Sequence, residues 1–280
     1  MGAVTYAFLS VLFISSLSLV GVLMISMKEK TVDNVLFILV AFATGTILAT
    51  SLFDLIPESL HHLEVLNAEG ASLPELLAFG LIGLGYVAFF IIERFIYWFH
   101  GHAHVRENQI VCYDTRTGQR TQLVEKGTNI KNVALLNLMG DGLHNFLDGV
   151  IILVAFSTGL ANGIVITLAV LFHELPQELG DFGILLYGGF TKRTALLFNF
   201  GSALVAVLGG IFALFFSELI QGFNFFFLAF SGGGFLYLAT TELMPELTKQ
   251  KPLKKSIIQA IIFLIGVLFV LSLVLFLPHG

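Results

Sequence analysis

The polar stretch GDGLHNFLDG places an imidazole, an amide and carboxylates close together in a largely apolar chain. If the stretch is helical, His144 and Asp148 share a face because they are four residues apart. Asp141, Asn145 and Asp148 then line the adjoining stripe of the same helix. Imidazole nitrogens and carboxylate oxygens at such spacing are typical ligands of divalent metal ions.

The stretch HELPQELGD carries a second set of the same side-chain types. At helical spacing, one row consists of His173, Gln177 and Asp181. Glu174 and Glu178 form the neighbouring row. Imidazole, carboxylate and amide oxygen together make a borderline-soft ligand set, which suits Zn²⁺ and also accepts Fe²⁺, Mn²⁺ or Cd²⁺.

A second interpretation of these polar groups is structural, with hydrogen-bonded pairs that hold two helices together. One His–Asp pair among apolar residues is most often of that kind. A larger set at similar depth on two membrane helices is costly, and ionisable residues inside a membrane are functional by default. Pro176 adds to the metal-binding interpretation, because it donates no backbone N–H and so frees the carbonyl of Phe172.

The surroundings of both stretches are those of a membrane protein. The chain is 56% hydrophobic and only 12% charged, with 29 phenylalanines, and its mean hydropathy is +0.91. Most of the uncharged runs are long enough to cross a hydrocarbon core of roughly 30 Å. The first run has no basic segment before it, so we interpret it as a retained helix. A single cysteine, Cys112, excludes a disulfide framework and a cysteine-built metal site.

Eight membrane helices are predicted, and the region 132–188 decides the count. As one helix it would be about 85 Å long, far more than one crossing. The segment STGLANG (157–163) has the small residues of a tight reversal, so we divide the region there. The predicted helices are roughly 4–27, 34–57, 75–98, 132–156, 163–188, 194–217, 222–246 and 255–277.

The basic residues test this count and orient the chain. All 14 Lys and Arg lie in or beside alternate connections, and none lies in the other connections or at the termini. The positive-inside rule then places both termini outside and the 99–131 loop in the cytosol. We expect an all-α, polytopic, integral membrane protein, with residues 1–280 forming a single transmembrane domain. The membrane is either the plasma membrane or that of an organelle.

An internal repeat links the second and seventh helices. Residues 41–58 align without gaps on 229–246, with seven of 18 positions identical and Asp54 on Glu242. The two segments run in opposite directions, so helices 1–3 and 6–8 are predicted to form an inverted repeat around helices 4 and 5. Transporters with such repeats commonly bind substrate near the midplane and work by alternating access, here with the repeats moving against helices 4 and 5. The alternative is chance similarity between glycine-rich membrane helices.

The motifs HNFLDG and HELPQELGD resemble the signatures of the ZIP (ZRT/IRT-like protein) metal transporters, and the eight-helix topology matches that family over the whole chain. The resemblance implies uptake of divalent metal, usually zinc, into the cytosol through a two-metal centre on helices 4 and 5. One implied site consists of His144, Asp148 and Gln177. The neighbouring implied site consists of Asn145, His173, Glu174 and Glu242. Gln177 departs from the HExPxExGD branch that the motif most resembles, which usually has histidine there, and a neutral amide is a poorer zinc ligand.

Further polar residues lie along an expected path for the metal. Asp54 and Glu58 are expected to end the second helix at the outer face, while Glu246 and Glu242 lie towards the cytosolic end of the seventh. The cytosolic loop begins with candidate metal acceptors, His100, His102 and His104. The alternative for that loop is an ordinary solvated linker.

Two other functions use similar residues. An intramembrane zinc metalloprotease needs H-E-x-x-H, but the second histidine position is Gln177 and Pro176 interrupts the helix. A non-transporting metal sensor would share the ligands, but the repeat and the carboxylates along the path favour passage. No glycine-rich ATP-binding loop occurs, so the gradient of the metal or of protons would drive transport. We expect no enzymatic activity, no cofactor and no nucleic-acid partner; the expected partners are divalent metal ions, the lipid bilayer and a second copy in a homodimer.

Overall fold

The computed structural model describes residues 2–21, 29–99, 112–113, 120–121, 130–248 and 252–276. Within these ranges eight helices are long and apolar enough to cross a membrane, as predicted. They are α1 (Ala3–Ser16 with the 3₁₀ turn Leu17–Val20), α2 (Glu29–Thr50, the π-helical segment Ser51–Leu55 and Ile56–Ala68), α3 (Glu75–Phe99), α4 (Ile130–Thr158), α5 (Leu160–Tyr187), α6 (Lys192–Ala203 and Val205–Leu219), α7 (Phe223–Tyr237, the π-helical segment Leu238–Leu243 and Met244–Thr248) and α8 (Leu253–Phe276). Between α3 and α4, strand β1 (Cys112–Tyr113) pairs antiparallel with β2 (Arg120–Thr121).

The second helix is longer than predicted. We expected Asp54 and Glu58 to end it, but α2 continues to Ala68, so that prediction is wrong. Pro57 indicated a stop, yet it lies in the first turn after the π-helical segment, where a missing N–H is tolerated. Asp54 and Glu58 therefore lie inside α2.

The reversal between α4 and α5 is shorter than predicted. Only Gly159 separates them, and its backbone is extended. Residues 157–158 and 160–163, which we assigned to the turn, are helical. The two helices are therefore neighbours that begin their shared packing directly at the turn.

The core is centred on α4, whose residues 150–156 are all buried. Close backbone approach holds α4 against α6: a Cβ at Gly149 would overlap the carbonyl oxygen of Ala206, and one at Gly209 would overlap that of Phe146. By contrast, α3 and α8 expose many large apolar side chains, among them Phe79, Leu84, Leu264 and Leu268. Such an outer surface suits contact with lipid.

Glycine contacts of the same kind join α2 to α8 and α3 to α7. A Cβ at Gly45 would overlap the carbonyl oxygen of Phe263, and Gly233 stands in the same relation to Ile82. Gly45 and Gly233 are aligned positions of the repeat. The two helix pairs therefore pack through corresponding residues.

The π-helical segments are a second feature that the aligned stretches share. The repeat places Ser51–Leu55 on residues 239–243, and the structure has its other π-helical segment at Leu238–Leu243. Each is followed by a Pro-Glu pair, at 57–58 and at 245–246. Short π-helical segments are frequent at functional sites, so both helices are irregular where function is expected.

Candidate metal centre

The reversal at Gly159 brings the two polar motifs to one depth. His144 on α4 and Glu174 on α5 are equally far along the chain from Gly159, and the helices run antiparallel from that point. Residues four apart on α4, and residues next to each other on α5, therefore meet across a single helix contact. The spacing in sequence is sufficient to assemble a cluster.

Four side chains converge on one point between α4 and α5. One ligand atom from each of His144, Asp148, His173 and Glu174 lies within 4.8 Å of all the others. The Nε2 of His173 is 3.0 Å from Asp148 Oδ2 and 3.1 Å from His144 Nε2. Glu174 Oε1 lies 3.5 Å from His173 Nε2 and 3.4 Å from His144 Nε2.

These separations match the ligand spacing around a small metal ion. Nitrogen and oxygen ligands about 2.0–2.2 Å from a tetrahedral Zn²⁺ lie roughly 3.3–3.6 Å from one another. The longest of the measured separations joins His144 Nε2 to Asp148 Oδ2 at 3.7 Å. A tetrahedral ion at the centre of the cluster would require shifts of only a few tenths of an ångström.

The cluster is shielded from solvent and rich in unsatisfied acceptors. Asp148, His173 and Glu174 are buried, and His144 is partly buried. Within the described ranges, Asp148 Oδ1 and both carboxylate oxygens of Glu174 have no hydrogen-bond partner. Buried acceptors without a donor are costly, and a cation bound between them would remove that cost.

The orientation of His173 is fixed by its other ring nitrogen. Because a carbonyl oxygen only accepts, Nδ1–H of His173 donates to the carbonyl of Ala169 at 3.1 Å. Nε2 is then the nitrogen that faces the cluster with a lone pair available. Metal-binding histidines are commonly held in this way.

The other predicted ligands are placed as follows. Asn145 is buried and donates its Nδ2 to the backbone oxygen of Asp141 at 3.1 Å and to the Oδ1 of Asp141 at 3.0 Å. Gln177 is partly buried, one turn after His173 on α5. The resemblance divided the histidines between two neighbouring sites, whereas all four of the clustered ligands meet at one centre; the division stays a prediction.

The predicted path residues are described only in part. Asp54 is buried in the π-helical segment of α2. Glu58 Oε1 lies 3.5 Å from His62 Nε2. The backbones of Glu242 and Glu246 belong to α7, but their side chains lie outside what is described, as do His100, His102 and His104 altogether.

Polar residues of α6 and α1 approach the centre as well, and the sequence did not point to them. Asn199 on α6 is fully buried and donates its Nδ2 to Glu178 Oε2 on α5. Ser202 donates to the backbone oxygen of Leu138 at 3.0 Å. The only available signal was a single amide in an otherwise apolar stretch of helix.

An all-helical membrane protein whose two central helices bury a histidine–carboxylate cluster has the architecture of a metal-ion transporter. A model of the ZIP Zinc transporter family matches residues 1–274. The chain belongs to this family, which confirms the resemblance of the two motifs.

Individual relatives agree with the family. The chain is 32% identical over 282 residues to zinc transporter zipt-7.1 of Caenorhabditis briggsae, covering 85% of this chain and 71% of that protein. It is 28% identical over 256 residues to zinc transporter YKE4 of Saccharomyces cerevisiae, with the same coverage of 85% and 71%. It is also 42% identical over 122 residues to zinc transporter ZIP10 of Mus musculus, but this match covers 44% of this chain and only 15% of that protein.

Proposed function

We propose that this protein carries divalent metal cations, zinc above all, across a membrane into the cytosol. The observation that carries the proposal is the convergence of His144, Asp148, His173 and Glu174 on one buried point. Membership of the ZIP family and the names of its relatives as zinc transporters agree with it. Zinc is substrate here and not a resident cofactor.

The ligand set determines which metals compete. Two imidazoles with two carboxylates suit Zn²⁺, and they also accept Fe²⁺, Mn²⁺ or Cd²⁺. Gln177 supplies no imidazole beside this set, so we propose that it weakens the preference for zinc relative to a histidine at that position. Metal selectivity then depends on the balance between nitrogen and oxygen ligands.

We propose alternating access as the mechanism. The aligned π-helical segments of α2 and α7, and the matching glycine contacts of these helices with α8 and α3, support an inverted repeat. Ser51 Oγ on α2 also donates to the backbone oxygen of Gly232 on α7 at 2.7 Å. These contacts favour α2, α3, α7 and α8 as one group.

The remaining helices would form the other group. Gly149 and Gly209 bring the backbones of α4 and α6 together, and Ser15 Oγ on α1 donates to the backbone oxygen of Ala203 at 2.8 Å. We therefore extend the sequence-based mechanism: α1 and α6 move with α4 and α5, and the metal is carried between the two groups. Both termini are proposed to lie outside, with residues 99–131 in the cytosol.

The alternatives have less support. A metalloprotease of the H-E-x-x-H type lacks its second histidine, and the relatives are named as transporters and not as hydrolases. A sensor would use the ligand cluster but has no need of an inverted repeat. A homodimer stays a prediction.

Uptake by the purified full chain in proteoliposomes tests the proposal. We expect Zn²⁺ applied outside to enter vesicles containing a zinc-sensitive dye, and unlabelled Fe²⁺, Mn²⁺ and Cd²⁺ to compete to different degrees. Ser272→Ala is a matched control, because this hydroxyl donates only within its own helix, to Phe269. Binding of zinc without uptake above protein-free vesicles would overturn transport and favour a sensor.

A further inference from the structure

A second group of buried polar side chains lies beside the histidine centre. Asp141 precedes His144 by less than one turn on α4, and Glu178 follows Glu174 by about one turn on α5. Asn199 joins them from α6. In the proposed orientation these three residues lie on the cytosolic side of the centre.

Hydrogen bonds connect the members of this group across three helices. Asn199 Nδ2 donates to Glu178 Oε2 at 2.5 Å and to the backbone oxygen of Glu178 at 3.2 Å. Asp141 Oδ1 accepts from Asn145 Nδ2 at 3.0 Å. The carboxyl of Asp181 lies next to that of Asp141, and Glu178 is near both. The group is therefore one cluster and not a set of separate contacts.

Two oxygens of the cluster lack any partner among the described residues. They are Asp141 Oδ2 and Asn199 Oδ1, on side chains that are 7% and 0% exposed. A carboxylate and an amide thus each present a buried acceptor without a donor. Such atoms are costly to bury unless a donor or a cation fills the space between them.

No basic side chain takes this role in the described ranges. The sequence contains no Lys or Arg between residues 132 and 191. The ion pairs found within the described structure all involve histidine, and neither Asp141 nor Glu178 takes part in one. The negative charge of the cluster is therefore available to a metal ion.

We propose that Asp141, Glu178 and Asn199 form a second cation site, made of oxygen ligands alone, which receives the metal from the histidine centre. The proposal rests on the proposed transport function, because it gives the same metal its next position on the cytosolic side. Glu174 and Glu178 are neighbours on one face of α5, with Cβ atoms roughly 5–6 Å apart. A metal can therefore pass from one carboxylate to the other over a short distance.

The chemistry of the two sites favours release. Carboxylate and amide oxygens suit Mg²⁺ or Mn²⁺, whereas imidazole suits zinc. An oxygen-only site holds Zn²⁺ more weakly than the histidine centre does, so zinc that reaches it is closer to the affinity needed for dissociation. The site should show the opposite preference in binding, with Mn²⁺ held better than it is by most imidazole sites.

Binding of Mn²⁺ to the purified full chain tests the second site separately from transport. In a His144→Ala/His173→Ala background, we expect Mn²⁺ titration followed by electron paramagnetic resonance to show one remaining site per chain. Adding Glu178→Gln should weaken it about tenfold or more, because even outer-shell partners of metal ligands contribute 10–100-fold. Ser202→Ala, beside the cluster but bonded to Leu138, should change Mn²⁺ affinity less than twofold.

A second variant keeps the test decisive if Glu178→Gln does not fold. Asn199→Asp preserves side-chain size and adds a carboxylate, so a cation site should bind Mn²⁺ about tenfold more tightly. Unchanged or weaker binding in Asn199→Asp, or no Mn²⁺ binding in the double-alanine background, would overturn the second site.

Zinc uptake by the otherwise native chain separates this proposal from the proposed function. We expect Glu178→Gln to reduce uptake about tenfold or more while Zn²⁺ still binds the histidine centre. If the native chain does not transport zinc, the proposed function fails whatever the Mn²⁺ result. If it transports and Glu178→Gln transports equally well, only the second site is wrong.

Discussion

Replacing His173 is the sharpest perturbation of the metal centre. Its Nε2 lies between Asp148 Oδ2 at 3.0 Å and His144 Nε2 at 3.1 Å, and the side chain is only 2% exposed. His173→Ala removes one of the four clustered ligands and leaves a space that the helices cannot readily close. We expect this variant to lose zinc binding and uptake together.

The size of the effect follows from the geometry. Outer-shell partners of metal ligands contribute about 10–100-fold to affinity, so loss of a direct ligand should weaken zinc binding at least about 100-fold. That factor corresponds to roughly 2.7 kcal/mol of binding free energy. The fold itself should lose less, about 1–3 kcal/mol for a buried carboxylate deprived of its partner.

His173→Gln separates the loss of a ligand from the loss of volume. Glutamine refills most of the space and offers an amide to Asp148, but it does not restore the imidazole nitrogen. We therefore expect near-native thermal stability with zinc affinity still far below that of the native protein. Calorimetric titration of zinc into the protein in detergent measures affinity, and a thermal melt measures stability. A zinc Kd within threefold of native in His173→Ala would refute the assignment of the centre.

Three further predictions address orientation, metal choice and the repeat. Cys112 is the only thiol, so a membrane-impermeant maleimide should not label it from outside intact cells; labelling would reverse the orientation. Gln177→His should tighten zinc binding measured by titration, because an imidazole replaces a neutral amide beside the centre; unchanged affinity would assign Gln177 a scaffolding role. Gly233→Ala should destabilise the fold by about 1–3 kcal/mol, since its Cβ would overlap the carbonyl of Ile82. Gly80→Ala, with open space at its Cβ, is the matched control for thermal melts.

The helices could largely be predicted because their determinants are local. Membrane-length apolar runs and the alternating positions of Lys and Arg predicted the eight helices that the structure contains. The error at α2 has a physical cause. Pro57 normally indicates a helix end, but the π-helical segment Ser51–Leu55 precedes it and the helix continues. The sequence carries no periodic signal for such a segment.

The metal cluster could be predicted to the same extent, and for the same reason. His144 and Asp148 share a face through their spacing, and His173 and Glu174 belong to one motif. Asn199 could not be predicted, because its contact with Glu178 depends on where α6 packs against α5. A single amide in an apolar helix is compatible with many partners. Its role becomes visible only when its buried environment is known.

The unsatisfied oxygens explain why a transporter tolerates such a core. Asp148, Glu174, Asp141 and Asn199 each present a buried acceptor without a partner in the described structure, and each of these acceptors lowers the stability of the metal-free protein. A stable metal-binding protein would satisfy these atoms with donors, which would then compete with the metal. A carrier instead needs sites that are neither satisfied nor closed, so that metal binding lowers the free energy and metal release remains possible. The sequence of an imidazole-containing centre followed by oxygen ligands meets both requirements, because affinity for zinc falls along the path to the cytosol.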